Sequence, residues 1–321
     1  MTTLANIYKP VAHDLEKVEE ALSGITGVDI PLLEKLLRHC IGNGGKRIRP
    51  VFTLLCGKFN NYDLAKLIPM GAGVELLHTA TLVHDDVVDN SDLRRGKPTV
   101  SRQWGSDAAL LLGDYLFARA AMFVADTGNL RVIKLFAETL MTISGGELAQ
   151  INVLFDSKRA RDHYYKWIAA KTACLFSTST QSGAILSGAS EEIITALKDY
   201  GHYFGMAFQV IDDILDFTGK EADLGKPVGS DLREGAVTLP AILFWETEEG
   251  EKIIRQIIED RDVNLVKTAI EMIKASDILN ECNRIAEDFS ARSRNALNIL
   301  PETEAKAALL ALSKYMLSRK K

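Results

Sequence analysis

An all-α bundle is the fold class this 321-residue sequence predicts, on three observations. No proline falls between Pro98 and Pro227, and proline both removes a helix hydrogen bond and clashes with the preceding turn, so its absence suits several long helices. Apolar residues recur at helical spacing, as in Leu111, Tyr115, Ala118 and Met122. Strand alternation and Asn-Gly hairpin signals are hard to find. With 47% hydrophobic residues the chain can fill one large core, and it reads as a single domain over residues 1–321. The central helices are apolar nearly all round, which implies burial.

The elements follow in order. Residues 7–23 form an amphipathic helix, and Pro31 opens a second that ends near Gly42. Ile41–Pro50, IGNGGKRIRP, is a glycine-rich loop carrying Lys46, Arg47 and Arg49. It reads either as a helix cap with a solvated basic turn or as an anion cradle whose backbone N–H groups approach a phosphate. A helix from about Leu67 to Asp89 ends in acids. Helices over 105–125 and 131–155 follow, the second carrying SGGELAQ at Ser144–Gln150, where two glycines imply close packing or a kink. A helix over 160–188 holds Lys171 and Thr172 in an apolar setting, where a lysine needs a partner. Gly205–Gly219 is another apolar helical run ending in acids, followed by a loop to Pro240 with Lys226, Asp231 and Arg233. Ala241 to Lys321 reads as amphipathic scaffold with a solvated SRKK tail.

The totals exclude several classes. A net charge of −5 gives no reason to expect nucleic acid as a partner. Cys40, Cys56, Cys174 and Cys282 are widely spaced without a CxxC pair, which argues against a zinc site or a disulfide framework. The first twenty residues lack the apolar core of a signal peptide. The most apolar long stretch, Ala108–Val124, is broken by Asp114 and Arg119, so no membrane span is expected and the location reads as cytoplasmic.

The chemistry sits in two matching triplets. Asp85, Asp86 and Asp89 close one apolar helix, and Asp212, Asp213 and Asp216 repeat the spacing on another. One triplet alone could be a solvated turn or an ion-pair network. Two, each on an apolar helix and each followed by basic residues (Arg94, Arg95 and Lys97; Lys226 and Arg233), point to paired walls of a metal–diphosphate site. Oxygen ligands without His or Cys companions suit Mg²⁺, which bridges carboxylates to phosphates. His78 lies two turns before Asp85 on the same face, either as a core histidine or as part of the site. His84 falls on a different face and reads as structural.

The stretches HTATLVHDDVVDNSDLRRGKPT, GGKRIRP, FQVIDDILD and KPVGSDLREG resemble the trans-polyprenyl diphosphate synthases, most closely the long-chain octaprenyl or solanesyl type, over essentially the whole chain. The resemblance implies an isoprenoid-synthase-type bundle around a central elongation cavity, a homodimer, and transient membrane-surface contact on product release. It implies Mg²⁺-dependent addition of isopentenyl diphosphate to an allylic diphosphate, farnesyl as primer, with three ions per active site. On that basis the six aspartates bind the metal. Arg94, Lys171 and Lys226 contact the allylic diphosphate with Gln209 nearby, and Thr172 steadies a carbocation. Lys46, Arg49, His78 and Arg95 hold isopentenyl diphosphate. One departure is Ala236, where many relatives have a lysine on the allylic diphosphate.

In the family, bulk just before the first aspartate motif stops the product early. Ala80 and Thr81 are small, so the cavity is expected to continue past them. If Gln150 faces it, Phe136 lies fourteen residues back, and fourteen steps of roughly 100° return to within about 40° of the same face. Phe136 is then the candidate floor with Leu140 and Ile143 as walls; ordinary core packing is the other reading. Alternatives to the long-chain enzyme are a shorter, geranylgeranyl-type synthase, a terpene cyclase, and a regulatory subunit of a heteromeric synthase. Two complete aspartate motifs and GGKRIRP count against the last two.

Overall fold

The protein, described here from a computed structural model, is defined over residues 3–42, 45–151, 160–219, 228–260 and 263–319. Helix α1 (Leu4–Tyr8) passes through a 3₁₀ turn at Lys9–Val11 into α2 (Ala12–Gly24), followed by α3 (Pro31–Ile41), α4 (Ile48–Gly57) and α5 (Leu64–Val88). α5 starts before Leu67 because the Asp63 side chain accepts from the Ala65 N–H and caps it. The helix then runs straight through Pro69. Burial of every residue from Met70 to Leu77 offsets the one hydrogen bond that this proline forfeits.

A short β-hairpin interrupts the otherwise helical chain after α5. Leu93–Arg94 (β1) pairs antiparallel with Lys97–Pro98 (β2). The two-residue turn between them, Arg95 and Gly96, has φ of 52° and 75°. Positive φ at both central residues matches the twist of a tight hairpin. Strands of two residues are too short to leave an alternation pattern, which is why the pattern search misses them.

Then come α6 (Val100–Trp104), α7 (Ser106–Asp126), α8 (Leu130–Ile151), α9 (Ala160–Ile168), α10 (Cys174–Leu186) and α11 (Glu191–Thr218). The unbroken helix expected over 160–188 is instead split by a π-helical segment, Ala169–Ala173, which contains Lys171 and Thr172. π-Segments of this kind recur at functional sites because they re-aim side chains within an otherwise regular helix. Two glycines on neighbouring helices make room for it. A Cβ on Gly146 of α8 would sit 2.6 Å from the Ala170 Cβ, and one on Gly205 of α11 would sit 2.5 Å from the Ala173 Cα. The remaining helices are α12 (Ser230–Arg233), α13 (Leu239–Trp245), α14 (Glu248–Asp260), α15 (Val263–Ala275), α16 (Ile278–Ala296) and α17 (Glu304–Leu317).

α10 is the axis. It packs against α4, α5, α8 and α11, while α5 lies along α7 and α11 along α16. From Leu175 to Leu186 it buries every residue but Gln181, including Ser177, Thr178, Ser179, Thr180 and Ser182. These hydroxyls are tolerated because each finds a partner: Ser179 donates to the Leu175 carbonyl, Ser177 to that of Lys198, and Thr178 meets Thr139 at 2.6 Å. Above them Phe52, Phe176 and Phe204 meet edge to face. α7 is long and apolar enough to cross a bilayer. Its inner face packs on α5, while its outer face leaves Leu110, Leu111 and Met122 exposed.

Candidate active site

The first triplet divides by direction. Asp85 lies in the last turn of α5, and Asp89 caps that helix, its N–H bonded to the Asp85 carbonyl at 2.8 Å. Asp86 is buried and accepts from Arg94 Nε at 2.6 Å. Asp85 feels the charge of Lys171, whose Nζ pairs with Glu147 Oε1 at 2.9 Å. Burial pushes the Asp85 carboxyl up to about 6, with Glu147 and Asp89 adding to the effect and Lys171 and Arg94 opposing it.

The second triplet divides more sharply. Asp212 keeps its side chain 41% exposed and pairs with Arg319 at 3.0 Å. Asp213 is only 1% exposed. It accepts from the Tyr164 hydroxyl at 2.5 Å and from Gln209 Nε2 at 2.9 Å. Burial raises its pKa well above the usual carboxylate range against those two bonds. Asp216 accepts from Ser230 Oγ at 3.0 Å and the Asp231 N–H at 3.4 Å, and so anchors the start of α12 to α11.

The π-segment joins the two walls. Lys171 reaches towards Asp85 and Glu147, while its neighbour Thr172 donates to Gln209 Oε1 at 2.6 Å and so reaches Asp213. From this one turn the adjacent side chains serve both walls, Lys171 the first and Thr172, through Gln209, the second.

The basic residues form a second cluster beside the acids. Arg47, in a left-handed conformation at φ 49°, is committed to Glu19 and to Glu75 (2.9 Å), which locks the glycine-rich loop onto α2 and α5. Arg49 is half-buried with its guanidinium 4.3 Å from the Phe176 ring centroid, and its buried Nε has no hydrogen-bond partner among the described residues. Burial lowers its pKa to about 10. His78 is held well below its ordinary pKa by burial and by Arg49, Arg95, Arg94 and Arg47, which keeps it neutral among four cations. A pocket lined by His39, His78, Asp86, Arg94, Arg95 and Thr99 opens there. Lys46 lies within electrostatic reach of Asp212.

The structure thus brings Asp85 and Asp89 to Lys171, links Thr172 through Gln209 to Asp213 next to Asp212, and places His78, Arg94 and Arg95 around an adjoining pocket with Arg49 close behind His78. Lys226 lies outside the described residues. Ala80 is fully buried on α5, Thr81 is half-buried and donates to the His78 carbonyl, and Phe136 is buried on α8. Sequence reasoning missed Glu147, Tyr164 and Arg319. Glu147 follows the glycine pair that was noticed for packing. Arg319 lies in what reads as a solvated tail, yet it is 9% exposed and stacks 4.3 Å from Phe208. No local pattern marks a residue so far along the chain as part of this site.

The donors suit a hard divalent cation. They are all carboxylate oxygens, and burial together with the neighbouring Glu147 and Asp89 disfavours the bare negative charge on Asp85, which a cation would offset. Among the described residues no three such side chains converge into a ready-made cage. That fits Mg²⁺, which is commonly held by one or two carboxylates while substrate phosphates complete its shell.

A family model described as polyprenyl synthetase matches residues 30–273. The chain belongs to this family. It is a prenyltransferase of isoprenoid biosynthesis with the all-α isoprenoid synthase fold. It is 39% identical to heptaprenyl diphosphate synthase component 2 of Geobacillus stearothermophilus, over 98% of both chains. It is 35% identical to octaprenyl diphosphate synthase of Escherichia coli (strain K12), over 98% of this chain and 99% of that one. Among solved structures it resembles polyprenyl synthase from Caulobacter crescentus CB15, complexed with calcium and isoprenyl diphosphate, at a TM-score of 0.94 and 32% identity over 99% and 98% of the two chains.

Proposed function

We propose that this synthase condenses isopentenyl diphosphate repeatedly onto an allylic diphosphate, with farnesyl diphosphate as primer, to give a product of about octaprenyl length. The observation that carries this reading is the π-segment, whose adjacent Lys171 and Thr172 serve the two acidic walls while a cationic pocket opens beside them. Asp85, Asp89 and Asp212 would hold Mg²⁺, three ions in all, which when bound polarises the allylic diphosphate as a leaving group. Asp86, Asp213 and Asp216, all hydrogen-bonded inside the protein, would orient that set rather than ligate.

Lys171 and Arg94 neutralise the departing diphosphate as the carbon–oxygen bond breaks. Thr172 faces the resulting allylic cation with its hydroxyl oxygen. Arg49, Arg95, Lys46 and a neutral His78 hold isopentenyl diphosphate, whose double bond supplies the electrons of the new carbon–carbon bond. The proton then lost goes to the departed pyrophosphate, so no side-chain base is required. The apolar residues of α5 and α8 keep water from the cation.

Incubation with Mg²⁺, farnesyl diphosphate and labelled isopentenyl diphosphate tests the reading: a ladder ending near octaprenyl supports it, and no incorporation by the chain alone overturns it. Phe136 is assigned as the floor of the cavity. Phe136→Ala is expected to lengthen the product and Ala80→Phe to shorten it, and unchanged lengths in both would remove the assignment. The exposed Leu111 (69%) and Met122 (55%) of α7 support a homodimer, with Leu111→Arg expected to give monomers by light scattering. The Geobacillus relative carries the name of one component of a synthase, which favours a second reading in which that face takes a different subunit. A monomeric wild type lacking activity would favour it.

A further inference from the structure

Four side chains form one directional chain of hydrogen bonds. The Tyr164 hydroxyl donates to Asp213 Oδ2 at 2.5 Å, Gln209 Nε2 donates to Asp213 Oδ1 at 2.9 Å, and Thr172 Oγ1 donates to Gln209 Oε1 at 2.6 Å. They come from α9, α11 and the π-segment, and Tyr164, Thr172 and Asp213 are buried. Tyr164 has no place in the chemistry described above. Its ring is held at the edges of Tyr165 and Trp167, which leaves the hydroxyl aimed at one carboxylate oxygen.

The polarity of such a chain is set at its end. A primary amide has two donors on one side and an acceptor on the other, so whichever group faces Asp213 decides which faces Thr172. The Asp213 carboxylate accepts at both oxygens, and the phenol on Oδ2 holds it so that Oδ1 faces the amide, which turns its N–H to it. The amide oxygen then faces Thr172 and takes the single hydroxyl proton. Once that proton is committed, the threonine oxygen has only lone pairs to offer a positive carbon. The reverse orientation would aim the hydroxyl proton elsewhere and place a partial positive charge where the cation forms.

We propose that Tyr164 is a positioning residue for Thr172, fixing through Asp213 and Gln209 the hydrogen-bond polarity that turns the threonine lone pairs towards the allylic cation. The inference rests on the reading that Thr172 faces that cation. Without the phenol, the carboxylate is gripped on one side only and can rotate, so the amide and the Thr172 hydroxyl bonded to it lose their fixed placement. Substrate binding is untouched, because Tyr164 contacts neither the metal-facing carboxylates nor the basic pocket. The cost falls on formation of the cation.

Tyr164→Phe deletes one oxygen, and circular dichroism establishes that the variant folds. The expected result is a kcat roughly tenfold lower with KM for both diphosphates within about twofold, since an oriented dipole aimed at developing charge is lost while the binding groups remain. The variant should also be slowed more than the wild type by a fluorinated allylic substrate, whose electron withdrawal makes the cation harder to form. Tyr164→Phe added to Thr172→Val should cost nothing further. A Tyr164→Phe enzyme with unchanged kcat, a loss confined to KM, or unchanged sensitivity to fluorine overturns the proposal while leaving the role of Thr172 intact. If Thr172→Val is itself as fast as the wild type, the underlying reading of Thr172 fails and the proposal with it. Should Tyr164→Phe not fold, Gln209→Met breaks the same chain one link on, and the fluorine sensitivity decides in the same way.

Discussion

The two aspartate triplets have the same spacing and do different work. At the end of α5, Asp85 and Asp89 occupy one face while Asp86 is drawn into a pair with Arg94. On α11 only Asp212 is open, because Asp213 serves Tyr164 and Gln209, and Asp216 serves Ser230 and Asp231. The first wall keeps its charge available for a cation. The second spends two of its three carboxylates on the protein itself, tying α9, the π-segment and α12 to one helix. The contrast shows that a repeated motif fixes the spacing of its carboxylates, whereas the surrounding helices decide which of them are taken up by hydrogen bonds inside the protein.

The largest effect should separate the open carboxylates from the rest. Asp85→Ala or Asp212→Ala is expected to lower kcat/KM about a thousandfold in steady-state incorporation of isopentenyl diphosphate, the scale of losing a main electrostatic stabiliser. An Asp86→Asn loss as large as that of Asp85→Ala would break the distinction between them. Asp216→Ala should act on the fold: it strands the buried Ser230 hydroxyl and the Asp231 N–H. Urea unfolding should then show a loss of about 2–3 kcal/mol. Arg319→Ala should lower the Mg²⁺ concentration for half-maximal activity by roughly three- to fivefold, because the guanidinium no longer competes for Asp212. An unchanged Mg²⁺ titration would show that the pair does not compete.

The smallest effect is a pH dependence. Burial lifts Asp85 from 3.8 to about 6, so its charged form is disfavoured in the folded protein. The unfolded chain releases this proton first, so stability falls as pH rises from about 4 to about 6 and stays reduced above that. In metal-free buffer at neutral pH or above, Asp85→Asn should raise the calorimetric midpoint by roughly 2–4 °C. The advantage should vanish below pH ~4, where both states carry the proton. Added Mg²⁺ should narrow the gap by stabilising only the wild type.

Much of this site was legible because its residues are local in sequence. The acids fall three or four apart on apolar helices, and the basic residues follow within a turn or a loop. The all-α class was legible from proline placement and helical spacing for the same reason. The π-segment was not, since inserting one extra residue into a turn leaves the apolar pattern of 160–188 almost unchanged. Nor was the Arg95–Gly96 hairpin, too short to carry a period, or the capture of Arg47 by Glu19 and Glu75 from helices far apart in the chain. Arg319 is the sharpest case: a basic tail reads as solvated unless the partner is visible, and the partner is Asp212.

The sequence by itself determined the helices, the two aspartate motifs and the family, because each rests on residues within a few turns of one another. Tertiary structure alone decided which aspartates stay open, which arginines serve the fold, and which way the hydroxyl of Thr172 donates. Those outcomes depend on burial and on hydrogen-bond partners brought in from other helices, and a buried carboxylate with two donors is a different chemical group from the same residue facing water.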